Sequence, residues 1–131
     1  MKILFVCTGN TCRSPMAAGL FLSTHPDIVS ESAGLLAADG LPASAHAITA
    51  AATFGADIAA HRSRRLTSKI ADDVDVIVAL GDYHAQVLQL TYPHKSVILL
   101  GNGIDDPYGE DLEAYQECAM QIFDALKNLK L

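Results

Sequence analysis

Short aliphatic runs along this chain alternate with longer stretches in which apolar residues recur every three or four positions. Residues 3–7 form an unbroken apolar run closed by Gly9-Asn10, which predicts a short strand. Pro15 then stands in the first turn of a helix whose apolar positions are Met16, Leu20 and Phe21. Residues 28–33 read as a second short strand ending at Gly34, and residues 43–54 as a helix with Gly55 as its stop. A short helix over 67–72, capped by Thr67, precedes the β-branched run 74–80, a third buried strand ending at Gly81-Asp82. Residues 83–90 are helical, 97–100 make a fourth strand, and 112–129 carry Leu112, Tyr115, Ala119, Ile122, Phe123 and Leu126 at helical spacing. Strand-helix alternation of this kind predicts an α/β fold: a four-stranded parallel sheet with helices on both faces and right-handed crossovers. No repeat or linker divides the chain, so residues 1–131 are read as one domain.

Composition narrows the possible partners. Of the 131 residues, 50% are apolar and 18% charged, enough for a sizeable core, and the net charge is −6. That charge argues against a nucleic-acid or anionic-membrane surface, so any phosphate site must be local. No apolar run approaches the roughly 18 residues of a membrane span, and the run after Met1-Lys2 is too short for a signal-peptide core, which together predict a cytoplasmic protein. Three cysteines, Cys7, Cys12 and Cys118, make a reactive thiol a better expectation than a disulfide scaffold. The five histidines show no ligand spacing, and no metal or other cofactor is expected.

In a parallel α/β sheet ligands bind beyond the carboxyl ends of the strands, which directs attention to the loop after the first. It reads Cys7-Thr8-Gly9-Asn10-Thr11-Cys12-Arg13-Ser14-Pro15. A loop of this length can curl so that successive N–H groups point to its centre while the following helix adds its positive end, making a cradle for phosphate or a similar oxyanion. Gly9 and Asn10 tolerate the positive φ such a curl needs, and Arg13 offers two parallel donors to phosphate oxygens. In this field the Cys7 thiol is expected to shift toward thiolate and act as a nucleophile. Ser14 is placed to donate to that sulfur or to cap the helix. A Cys ending a buried strand is ordinarily just a small hydrophobe; its position at this strand-to-helix junction favours the catalytic reading. Displacement on phosphorus also needs a proton donor for the leaving group, and Asp105, Asp106 or Asp111, in or next to the loop after the fourth strand, would each serve.

The loop motif, together with Glu31-Ser32-Ala33-Gly34, the run from His61 to Thr67, and Asp106-Pro107-Tyr108-Gly109, resembles the low-molecular-weight protein tyrosine phosphatase family over nearly the whole chain. The resemblance implies hydrolysis of phosphorylated proteins through a phosphocysteine on Cys7, phosphate held by Arg13 and the loop residues Thr8 to Cys12, assistance from Ser14, and Asp106 as acid and then base. It also implies a reversible Cys7–Cys12 disulfide, against which stands the plain reading of Cys12 as a buried side chain at the base of the loop. Thr11 stands where phosphotyrosine-specific members commonly carry a branched aliphatic residue, as in the bacterial arginine phosphatases of the family. Tyr108 lacks the second aromatic neighbour common in tyrosine-specific members, and Leu36 offers an aliphatic wall, so the reading leans to phosphoarginine with phosphotyrosine as the alternative. Arsenate reductases of this fold need resolving cysteines, which are absent from residues 80–90. A non-catalytic phosphoprotein-binding module would not require Cys7, Arg13 and Asp106 together. His46 is considered as a hydrogen-bonding support for Asn10, and Arg62, Arg64 and Arg65 are given no catalytic role.

Overall fold

The computed structural model describes residues Met1–Leu131. Its elements are β1 (Lys2–Cys7), α1 (Arg13–Thr24), β2 (Val29–Gly34), α2 (Ala45–Thr53), α3 (Ser68–Asp72), β3 (Val76–Ala79), α4 (Asp82–Thr91), β4 (Val97–Leu99) and α5 (Leu112–Lys127). Every predicted element is present, with ends that differ by one or two residues: β1 and α4 run longer than expected, β2 is shifted by one, and α2, α3, β3, β4 and α5 are shorter. The strands pair in parallel in the order β2-β1-β3-β4.

The two-residue period of the strands divides the core. Ile3, Phe5 and Cys7 of β1 and Val76 and Val78 of β3 face one cluster, which α1, α2 and α5 complete with Met16, Leu20, Ala47, Ala50, Tyr115 and Ile122. Leu4, Val6, Ile77 and Ala79 face the other, closed by Ala71 of α3 and by Ala85 and Leu88 of α4. Because both faces of β1 are covered, an unbroken apolar run is the pattern this strand requires. The helix signals hold locally: Ser44, Thr67 and Asp111 accept from the N–H groups of Ala47, Ile70 and Ala114, and Gly55 adopts φ 89° just past α2. Asp111 is thereby committed to capping α5.

β1 and β2 end side by side, with Cys7 opposite Gly34. Beyond that pair the chain keeps contact, Leu35 N–H donating to the Cys7 carbonyl and Leu36 N–H to that of Thr8. A Cβ at Gly34 would stand 2.5 Å from the Thr8 carbonyl oxygen and 3.0 Å from the Asn10 nitrogen, both backbone atoms of the loop. Gly34→Ala is therefore expected to cost about 1–3 kcal/mol, read as a lower denaturant midpoint, because the backbone cannot move aside without deforming the loop. An unchanged midpoint would mean that the loop yields.

Candidate active site

The loop between β1 and α1 is held from behind. Asn10 is fully buried and has φ 57°, the left-handed conformation expected of it. Gly9 does not share that conformation: it is absent from the positive-φ glycines, and a Cβ there would meet only Thr11 Oγ1 at 3.8 Å. One left-handed residue is enough for the turn. Asn10 Oδ1 accepts from the Arg64 N–H at 3.0 Å, while Nδ2 donates to Ser14 Oγ at 2.7 Å and to Ser32 Oγ at 3.0 Å. Since Asn10 occupies a lone pair of Ser14 Oγ, the hydroxyl proton of Ser14 is left for Cys7 Sγ, 2.9 Å away. Ser14 thus sits inside α1, turned to the sulfur, and does not cap the helix; the N-cap is Cys12, whose side chain makes no capping bond.

Two histidines brace the loop, and neither was assigned to it from the sequence. His61 Nε2 donates to the Asn10 carbonyl at 2.7 Å, and His84 Nε2 lies 2.8 Å from Thr8 Oγ1. His46, the candidate support for Asn10, instead packs its ring 5.4 Å from that of Tyr115. The segment around Arg62, Arg64 and Arg65 is more than a solvated cluster. Gly34 bridges to Arg65, and Arg64 contributes its backbone N–H to Asn10 and its Nε to the Ser32 carbonyl. No local pattern could have revealed these braces, because they arise where residues 61–66 run beside the end of β2 and where α4 meets the loop.

Above the loop opens a cleft of about 350 Å³, lined by every residue from Cys7 to Arg13 together with Leu36, Ala37, Ala38, Leu41, Asp106 and Tyr108. All the site residues read from the sequence line it except Ser14, which lies beneath. Arg13, 7% exposed, donates from Nη1 to the Ile104 carbonyl at 2.9 Å and pairs through Nη2 with Asp106 Oδ2 at 3.4 Å. Of the three carboxylates considered, only Asp106 faces the cleft. Asp105 borders a separate hollow with Glu110, Glu117 and Cys118. Leu36 and Tyr108 are 65% and 75% exposed at the mouth, and Leu41, not singled out in the sequence, adds a third apolar side chain to that rim.

The thiols differ in setting. Burial pushes the Cys7 thiol up, the reverse of the direction expected from the motif alone. Against it act the Ser14 hydroxyl, the Ser14 and Asn10 backbone N–H groups and the charge of Arg13, in that order. The partial positive charge at the start of α1 works in the same downward sense. Cys118 is pushed up to about 12 by burial, which removes it as a rival nucleophile at neutral pH. Cys12 is buried beside the Tyr115 hydroxyl at 3.2 Å. His61 is held below its usual pKa by burial, and His84 falls to about 4 through burial and then Arg13, with Asp106 opposing, so both braces are neutral at pH 7.

With that geometry in place, comparison with known proteins becomes decisive. The family model described as low molecular weight phosphotyrosine protein phosphatase matches residues 2–130. The chain belongs to this family. Among its relatives, the protein named "Probable low molecular weight protein-tyrosine-phosphatase EpsP" of Ralstonia solanacearum is 37% identical over 92% of this chain and 87% of its own length. The protein-arginine-phosphatase of Geobacillus stearothermophilus is 38% identical over 88% and 84%. The structure of the YwlE arginine phosphatase from Geobacillus stearothermophilus superposes with a TM-score of 0.90 at 33% identity, covering 96% of this chain and 88% of that one. Vibrio vulnificus Wzb in complex with benzylphosphonate gives 0.92 at 31%, covering 97% and 94%. The fold of this phosphatase family and the predicted architecture coincide, and no helix is long and apolar enough to cross a membrane.

Ser14 exerts the largest downward pull on the Cys7 thiol. Ser14→Ala should therefore shift the pH midpoint of Cys7 alkylation by iodoacetate upward, measured by mass spectrometry of the labelled peptide. A midpoint that stays put would mean that the Ser14 proton does not point at the sulfur.

Proposed function

We propose that this member of the phosphatase family hydrolyses phosphoarginine in proteins, with Cys7 as nucleophile, Arg13 and the loop as the phosphate cradle, and Asp106 as acid and base. Cys7 Sγ attacks phosphorus, and the P–N bond to the guanidine breaks as the Asp106 carboxyl transfers its proton to the leaving nitrogen. Water then attacks the phosphocysteine, giving its proton to the Asp106 carboxylate, and the S–P bond breaks to release phosphate and the Cys7 thiolate. Throughout, Arg13 and the N–H groups at the start of α1 neutralise charge on the equatorial oxygens. The Arg13–Asp106 contact of 3.4 Å supports this division of labour, since the same guanidinium that binds the phosphoryl group also steers the carboxyl over it.

Thr11 is the observation that carries the choice of substrate. It lines the cleft, and the sole contact of its hydroxyl is a long one of 3.8 Å to Cys12 Sγ, which leaves it available to a polar guanidinium or to water beside one. Phosphotyrosine has its own support in the apolar rim of Leu36, Leu41 and Tyr108, which suits a phenol ring. A polar contact discriminates more sharply than such a rim, because the wrong partner leaves a donor or acceptor unpaired, whereas apolar fit distinguishes by only about 1–3 kcal/mol.

Parallel turnover of phosphoarginine and phosphotyrosine peptides tests the proposal. Wild type is expected to prefer phosphoarginine, and Thr11→Ile to lower kcat/KM for it while that for phosphotyrosine holds or rises. A wild-type preference for phosphotyrosine that Thr11→Ile leaves unchanged would overturn the arginine reading. For Asp106, replacement by Asn is expected to slow turnover of poor leaving groups roughly 10²- to 10⁴-fold and of activated aryl phosphates less. Equal losses on both would remove the acid role, and Asp105→Asn is the comparison that should leave both nearly intact.

A further inference from the structure

His84 carries the one buried side-chain polar atom without a partner in the molecule, its Nδ1. The residue is 3% exposed, so water does not readily supply the missing bond, and such a group calls for a physical account. Its ring has two neutral tautomers. Protonated on Nδ1, it would bury an unsatisfied N–H and aim that proton toward the space over Gly81, where a Cβ would stand 3.0 Å from His84 Nδ1 and 3.4 Å from Arg13 Nη1. A donor facing a guanidinium across that gap is electrostatically unfavourable, and a lone pair there is favourable. The tautomer protonated on Nε2 avoids both penalties, and its N–H then donates to Thr8 Oγ1.

This choice has a consequence for Thr8. With a lone pair of its oxygen occupied by His84, the hydroxyl proton must go elsewhere, and Thr8 Oγ1 has no other hydrogen-bond partner in the chain. Thr8 lines the cleft between Cys7 and Gly9. The arrangement repeats the logic of Asn10, Ser14 and Cys7, in which a donor behind a hydroxyl turns its proton forward. We propose that His84 is a positioning residue which, by donating from Nε2 to Thr8 Oγ1, makes the Thr8 hydroxyl a side-chain donor to the oxyanion bound in the cleft. The inference rests on the phosphate-cradle reading above and adds to it a donor that the loop backbone and Arg13 do not supply.

The test is a double-mutant cycle of Thr8→Val and His84→Leu, read by calorimetric titration with inorganic phosphate and by kcat/KM on an aryl phosphate. Losing one donor to a charged acceptor should weaken phosphate binding roughly 10-fold in each single variant. The double variant should bind no more weakly than Thr8→Val, because both changes remove the same hydrogen bond. His84→Gln, which keeps a donor near the Nε2 position, should restore much of the loss. Nitrogen-15 correlation spectra of the imidazole should show an unprotonated Nδ1 and a protonated Nε2. Losses that multiply in the double variant, a proton on Nδ1, or a lowered Tm with phosphate affinity unchanged would each overturn the positioning role. A wild-type protein that neither binds phosphate nor turns over the ester would overturn the phosphatase reading itself, whereas a wild type that does both with an uncoupled pair would overturn only the role of His84.

Discussion

Asn10 is the only non-glycine residue with positive φ, at 57°, and the loop that forms the cleft turns on it. That conformation costs an L-residue roughly 1–2 kcal/mol, and a fully buried amide costs more unless each of its polar atoms is matched. Both costs are offset by one set of bonds. Arg64 supplies a backbone donor, Ser14 and Ser32 supply acceptors, and His61 satisfies the Asn10 carbonyl. Breaking any of these would leave a buried polar group exposed to nothing, so the set locks a single loop shape. The curl of the loop, the aim of Ser14 at Cys7 and the entry angle of α1 follow from it.

Two hydroxyls beside the cleft, Ser14 and Thr8, each have a donor or a ring nitrogen placed behind them. A serine or threonine rotor has no preferred aim of its own; the donor placed behind it decides where the proton goes. For Cys7 this matters because burial and hydrogen bonding pull the thiol in opposite directions. Burial disfavours the thiolate, and the surrounding donors and Arg13 favour it locally. The chain as a whole is anionic, at −6, so attraction to a phosphate is confined to the few groups around the loop.

The sheet and its helices were legible because the physics that shapes them is local and periodic. A β1 buried on both faces must be apolar at every position, Thr67 marks a helix start by capping it, and Gly55 marks a stop by its φ. The junction of β1 and α1 was likewise legible as the place of the cleft, since the sheet topology selects that loop and the loop itself carries Cys7, Asn10 and Arg13. The choice among Asp105, Asp106 and Asp111 was legible only through the family resemblance, which pointed to Asp106, and not in any local pattern. It depends on which carboxylate the turn after β4 brings within 3.4 Å of Arg13, and on the commitment of Asp111 to capping α5.

What remained hidden were the braces: His61, Ser32 and Arg64 behind Asn10, His84 behind Thr8, and Gly34 beneath the loop. Each meets the loop across a long separation in sequence, and each is of a residue type common in ordinary surface and turn positions. The sequence by itself determined the element order, the two-sided core and the loop that lines the cleft, because those depend on periodicity and on backbone preferences within a few residues. Tertiary structure alone decided which histidines face the loop, which aspartate faces the cleft and which groups stand behind the Ser14 and Thr8 hydroxyls. Those are set by parallel strands ending side by side, a juxtaposition of distant segments that no local pattern encodes.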